Sequence, residues 1–333
     1  MFNNYDTLYL SMIDKIFKIF KINIIPNFHI QKIKIPQLKF IQTIKSHNNV
    51  ITSVSIFPSG KIISVSYDKS IKIFNENFTL FQIIKNAHNG KIFYVKTKDD
   101  NNFVTCSNDK NIKTWIKKEN KFEFNKIIKK AHKDDINKVI YSLNNNIISC
   151  SDDKTIKIWE ENKKENKYQL KTIIKHLYCI FSILLLEDKN ILISSGLEGT
   201  KFWNFNNLEL IFYIKETYCG SWNSLSRFDD DKIIVPKKNP NSIEIISLLQ
   251  KKIVKNINFK YECFGIKVIR DKGIFLLGGN NKIINVYNIN NYQCIQEINL
   301  HKNNISGFSV LKNGLVLSYS NDNTFIIFSI INI

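Results

Sequence analysis

The chain is poor in the residues that break or bend a backbone. Its 333 residues include 11 glycines and 5 prolines, which excludes a collagen-like repeat and any Pro/Gly-rich linker. Arginine is scarcer still. Arg227 and Arg270 are the only two, so all but two of the 48 basic residues are lysines. The six cysteines (Cys106, Cys150, Cys179, Cys219, Cys263, Cys294) form no CxxC pair, and no histidine lies at zinc-ligand spacing from them. That argues against a metal site and predicts free thiols in a reducing, intracellular compartment, either cytoplasm or nucleus. No run of 18 uncharged apolar residues occurs, so no transmembrane helix is expected. The opening MFNNYD has no positive n-region and no cleavage site follows, so no secretory signal is expected. GxSxG, P-loop, GxGxxG and HExxH motifs are absent too, so neither enzymatic activity nor a cofactor is predicted.

What the chain has in excess is lysine, asparagine and isoleucine, with a formal net charge of +19. Such a charge can attract nucleic acid or an anionic membrane. Here the lysines are spread over the whole sequence, and arginine, the residue suited to bidentate phosphate contacts, is nearly missing. The charge therefore reads as a solvated lysine surface, of the kind that an AT-rich genome produces.

The strongest pattern is a spacing. His47, His88, His132, His176 and His301 are each followed 27 residues later by Phe74, Trp115, Trp159, Trp203 and Phe328. The first four histidines are 41, 44 and 44 residues apart, a period that indicates repeated four-stranded units. Within a unit, runs such as VITSVSIF (50–57), KIISVSYD (61–68) and KSIKIF (69–74) are rich in β-branched residues and bounded by turn residues, as strands are. Seven such a-b-c sets can be placed, at 50–74, 91–115, 135–159, 179–203, 220–246, 263–287 and 304–328. A fourth, d-type run recurs seven times, beginning at 39–45 before the first set. The run 39–45 is then left to pair with the last set, which closes a ring and removes both open edges.

The segments SYDKSIKIF (66–74), SNDKNIKTW (107–115), SDDKTIKIW (151–159) and SNDNTFIIF (320–328) carry a family resemblance. Over about residues 38–333 the chain resembles the WD40-repeat family. The resemblance implies an all-β fold, a seven-bladed β-propeller closed by an N-terminal strand. It also implies a hydrogen-bonded His–Ser–Asp–Trp chain within a blade. That set is complete as His88, Ser107, Asp109 and Trp115, and again as His132, Ser151, Asp153 and Trp159. Phe74 and Phe328 replace the indole in the outer two repeats. The fourth repeat keeps His176, Ser195 and Trp203 but has Leu197 at the Asp position. Tyr218 and Tyr261 stand near the histidine position of the fifth and sixth. Because the set recurs, it reads as structural rather than as a catalytic triad.

In such a propeller the d–a loops and b–c turns share one face of the ring. The family commonly binds proteins or peptides there. The implied partner-binding candidates are Thr52, Tyr67, Lys91, Phe93, Asn108, Asp135, Asn137, Asp152, Phe181 and Asn321, joined by Trp222. The resulting expectation is a non-enzymatic scaffold, a monomeric propeller that works within a larger complex and takes a protein or peptide partner. Binding of anionic lipid or nucleic acid by surface lysines is the alternative. Residues 1–37 form a leader in which LYLSMIDKIFKIFKINII (8–25) has Ile13, Ile16, Phe17, Phe20 and Ile24 at helical spacing between lysines, as in an amphipathic helix. The propeller would occupy 38–333.

Overall fold

In a computed structural model of the chain, described for residues 35–332 apart from 216, 218, 219 and 238–240, strands form seven antiparallel sheets of four. The helix expected over 8–25, Tyr218, and the middle of the KKNPNS turn (237–242) lie outside the described residues. Blade one runs Ile51–Ile56, Ile62–Ser66, Ile71–Phe74 and Leu80–Ile84, and the next five blades follow in chain order. Blade seven takes three strands from the C-terminal end, Ile305–Val310, Val316–Ser320 and Thr324–Asn332, and its outer strand, Pro36–Lys45, from the start. The pairing runs from Pro36 opposite Asn332 to Lys45 opposite Thr324. The ring therefore closes as the sequence led one to expect. No helix among the described residues is long and apolar enough to cross a membrane.

Burial explains why the inner strands carry isoleucine on both faces. Strand b of blade one, IISVS, and strand b of blade three, IISCS, are buried at every position. Each inner strand is covered by its neighbours on either side, so alternation with polar residues is unnecessary. Strand d at the rim, such as Leu80–Ile84, is only partly covered. The apolar residues divide into seven clusters, one for each junction between adjacent blades. Trp159 of blade three, for example, packs with Val104, Cys106 and Ile112 of blade two. The hydrophobic effect thus acts across the seams and makes the ring one body.

In six blades the register of strand a against strand b slips just after the first residue of strand a. The residues that the ladder skips are Thr52, Phe93, Asn137, Phe181, Phe264 and Ser306. A bulge at the same place six times re-aims the following side chains into the central channel. Blade five differs from the expectation of a strand a beginning near 220. Its innermost strand is only Ser226–Arg227, because residues 220–225 leave the sheet and cross the channel.

Candidate interaction surface at the capped end of the ring

Four repeats share one polar chain, and it orients the loops of the face that carries the d–a loops and b–c turns. In blade three, His132 Nδ1 lies 2.9 Å from Asp153 Oδ2 and His132 Nε2 lies 2.8 Å from Ser149 Oγ. The Trp159 Nε1–H donates to the same hydroxyl at 3.0 Å. In blade two the partners are Asp109, Thr105 and Trp115. His47 with Asp68 and Ser64, and His301 with Asp322 and Ser318, repeat the histidine half of the chain. The Asp carboxylate also accepts the next loop's backbone N–H (Asn48, Asn89, Lys133, Lys302). Burial lowers the pKa of His47, His88 and His132 despite the carboxylate beside them. A neutral imidazole then donates from Nδ1 to the Asp and accepts the hydroxyl proton at Nε2. The Asp side chains also close the turns. Asp68, Asp109, Asp153 and Asp322 each accept the N–H two residues on. That supports the left-handed backbone of the residue between, at Lys69, Lys110, Lys154 and Asn323.

Two corrections follow for the hydroxyl. Ser107 and Ser151 are not its source. Their Oγ atoms accept the backbone N–H of Asp109 and Asp153 at the turn. Trp115 lies opposite Phe103 in the b–c pairing, so Thr105 is its diagonal neighbour and within reach. Ser107, four residues along the strand from Phe103, is roughly 13 Å away at ~3.3 Å per residue. In blade four the hydroxyl is Ser194, which receives Trp203 Nε1–H at 2.8 Å and lies 3.1 Å from His176 Nε2. Ser195 instead bonds Thr200. Leu197 does not mark a lost carboxylate either, because Glu198 stands 3.3 Å from His176 Nδ1 and accepts the Leu177 N–H. Blade four has one extra residue between strand a and the hydroxyl and one fewer in its b–c turn. The two changes cancel within the 27-residue interval. The shorter turn is reached by the longer acid.

The channel is capped on this face by Gly220–Leu225. The Trp222 ring stacks on Phe93 of blade two with centroids 5.0 Å apart, and its Nε1–H donates to Asn137 Oδ1 of blade three at 3.1 Å. The Trp222 carbonyl accepts from Ser182 of blade four. Asn223 Nδ2 donates to the carbonyls of Thr52 in blade one and Ser306 in blade seven, and its own carbonyl accepts the N–H of Ile266 in blade six. Every other blade is thus touched by two consecutive residues. Glycines make the room: a Cβ at Gly307 would collide with the Tyr319 hydroxyl, and one at Gly265 with Gly307.

The cap takes three of the ten candidates away from any partner. Phe93, expected to be an exposed aromatic, is 7% exposed between Tyr67 and Trp222. Thr52 is fully buried, and its hydroxyl lies within hydrogen-bonding distance of the carbonyls of Val65 and Ile92. Asn137 is buried with its amide donating to Asp152 and Ile180. Tyr67, Asn108, Asp135, Asp152, Phe181 and Asn321 are half-buried around the cap and Lys91 is exposed. The Lys91 ammonium lies 4.6 Å over the Tyr67 ring, and Asn321 accepts from Ser306.

Next to them lies a patch that the repeat pattern did not single out. Leu177, Tyr178 and Leu197 of blade four are 69%, 53% and 50% exposed. Leu177 and Tyr178 follow His176 in the d–a loop, and Leu197 is in the b–c turn. Blade three adjoins them with Asp134, Asp135 and Asp152. Burial, and then the neighbouring carboxylates, raise the pKa of Asp135 and Asp152. Cys179 Sγ bonds the Asp152 carbonyl, which joins the two groups into one surface. A chain of +19 thus presents an apolar and acidic patch here.

The sequence matches the WD40 family, described as WD domain, G-beta repeat, at residues 38–75, 80–115 and 124–160. No curated protein matches it. Among solved structures, the WD40 beta propeller domain of Doa1 superposes with a TM-score of 0.74 at 18% identity, covering 88% of this chain and 97% of that one. The likeness is one of fold.

Proposed function

Because this chain is a WD40-repeat propeller, we propose that it is a non-catalytic scaffold that holds a protein or peptide on its capped face, at blades three and four. Propellers of this type generally bind protein partners. The observation that carries the placement is the exposed trio Leu177, Tyr178 and Leu197 beside Asp134, Asp135 and Asp152. Clustered apolar side chains rimmed by charge suit a partner that buries an apolar anchor, and the carboxylates select lysine or arginine next to it. Tyr67 and Lys91 extend the surface across blades one and two. A hydrolytic role has no support from the His–Asp–hydroxyl sets. Ser149 and Thr105 are fully buried and already hydrogen-bonded to an indole. Binding of nucleic acid or lipid by surface lysines is the weaker reading, since the carboxylates of Asp134, Asp135 and Asp152 adjoin the most exposed apolar residues of this face.

The test is a peptide display selection against the full chain. Enriched peptides should place a basic residue beside an apolar one, bind the wild type, and lose at least about tenfold in affinity to L177D/L197D. A control, L143D/L249D, alters two still more exposed leucines outside the patch and should bind normally. Selected peptides that bind all three proteins alike would refute the placement.

A further inference from the structure

Beneath the cap, the central channel holds a second feature that the scaffold reading does not use. A cavity of about 300 Å³ is lined by strand a residues of several blades, with Asn223 and Leu225 also in its wall. Its walls reach Ile56, Thr97 and Val310, the last residues of their strands, so it opens on the face opposite the cap. Lys96 and Lys267 sit on the same rung, four residues beyond the first residue of their strands, together with Ser55 and Ser309. Lys138 enters one rung higher. Its ammonium lies 3.1 Å from Ser182 Oγ and 5.1 Å over the Tyr94 ring. Thr97 and Ser226 add two more hydroxyls to the lining.

The lining holds three ammonium groups and no carboxylate. Among the described residues no acid pairs with Lys96 or Lys267. The carboxylates of the adjoining groove, Asp99 and Glu187, are engaged elsewhere, by Asn101 and Asn102 and by the Leu143 N–H. Lys96 keeps contact with the solvent inside the channel while protein surrounds it. Burial lowers the pKa of both lysines, and for Lys267 the charge of Lys96 adds to it. Two like charges, those of Lys96 and Lys267, held close together in a channel with no acid paired to either among the described residues, destabilise the fold. An anion with several oxygens would reverse that, with ammonium point charges around it and with the hydroxyls of Ser55, Ser226 and Ser309, which meet Thr97 and the carbonyls of Arg227 and Val54 in this structure, turned towards it.

We propose that the central cavity is a binding site for a small polyvalent oxyanion of the phosphate type, held by Lys96, Lys138 and Lys267 and by the hydroxyls of Ser55, Ser226 and Ser309. The cavity lies at the small end of ligand pockets, which fits a diphosphate group, either free or on a compact phosphorylated metabolite. Entry is from the uncapped face.

The test is isothermal titration of the full chain with inorganic pyrophosphate, in parallel with sulfate, inositol hexakisphosphate and an Asp/Glu-rich peptide. Pyrophosphate should bind the wild type and the surface control K163M/K164M alike. Binding should weaken about tenfold for each ammonium contact removed, hence about a hundredfold in K96M/K267M. Methionine keeps the aliphatic bulk, and removal of the repulsion between the two ammonium groups should leave the double variant with an unchanged or higher Tm. Tighter binding of inositol hexakisphosphate with the same lysine dependence would assign the group to a phosphorylated metabolite rather than to free diphosphate. No pyrophosphate binding, equal binding by K96M/K267M, sulfate binding of equal strength, or lysine-dependent capture of the acidic peptide alone would each overturn the proposal.

Discussion

Replacing Trp159 separates the two roles of the aromatic that ends strand c. Its ring packs in the seam between blades two and three, and its Nε1–H is hydrogen-bonded to Ser149. Blades one and seven carry out half of this experiment themselves, because Phe74 and Phe328 fill the same position without a donor. In those blades the hydroxyls of Ser64 and Ser318 still meet their histidines at 2.8 Å. Trp159→Phe should therefore remove one hydrogen bond, worth about 1 kcal/mol, and leave a small void worth about 1 kcal/mol more. Trp159→Ala empties the seam and should cost about 3–5 kcal/mol. For a chain of this size the corresponding Tm decreases are about 3 °C and about 4–7 °C, read by differential scanning calorimetry at pH 7. In a cycle with Ser149→Ala, the coupling to Trp159→Phe should be about 1 kcal/mol. A Phe variant as unstable as the Ala variant would refute this division, because it would place the energy in the polar chain rather than in the packing.

Acid should weaken the fold in two stages. The folded pKa values of His47, His88 and His132 are lowered, so the stability they lend is full above about pH 6.5 and declines below it. Burial tends to raise the carboxyls of Asp68, Asp153 and Asp322, but hydrogen bonds from the paired histidines and the turns hold them well below the usual range. Their contribution is complete above about pH 4 and is lost below it. Calorimetry from pH 8 to pH 3 should show the Tm gap between wild type and Asp153→Asn narrowing in the acid limb. Gly307→Ala should cost about 1–3 kcal/mol through overpacking against Tyr319, seen as a lower urea midpoint with unchanged slope. Glu198→Gln should free the Leu177 loop, so limited proteolysis should cut near 177 sooner than in the wild type.

Blade number and ring closure were readable in the sequence because strand length and loop length repeat together. One histidine-to-aromatic interval can be measured without knowing any contact. The finer assignments failed where an interval cannot report its internal divisions. Residues 105 and 107 lie on the same side of strand b, so periodicity could not choose between Thr105 and Ser107; only the pairing of Phe103 with Trp115 does. Glu198 was hidden by an insertion and a deletion that cancel. A search for any acid within one position of the expected Asp would have found it. The cap left no periodic signal at all. Phe93 looked exposed because an open channel was assumed, and the side chain that covers it comes from more than a hundred residues away. The apolar residues of blade four departed from the repeat, and that departure itself was the available clue.

The cap also dictates an order of events. Asn223 bonds Thr52 across 171 positions of sequence and Ser306 across 83. Those two acceptors come together only when blade one has met blade seven. Blades can form and dock locally, but Trp222 and Asn223 find all their partners only around a finished ring, so theirs are among the last contacts to be made. They act as a keystone, seated at the end and bearing on every neighbour. Trp222 emission therefore reports completion of the circle, while Trp115, Trp159 and Trp203 report the docking of neighbouring blades.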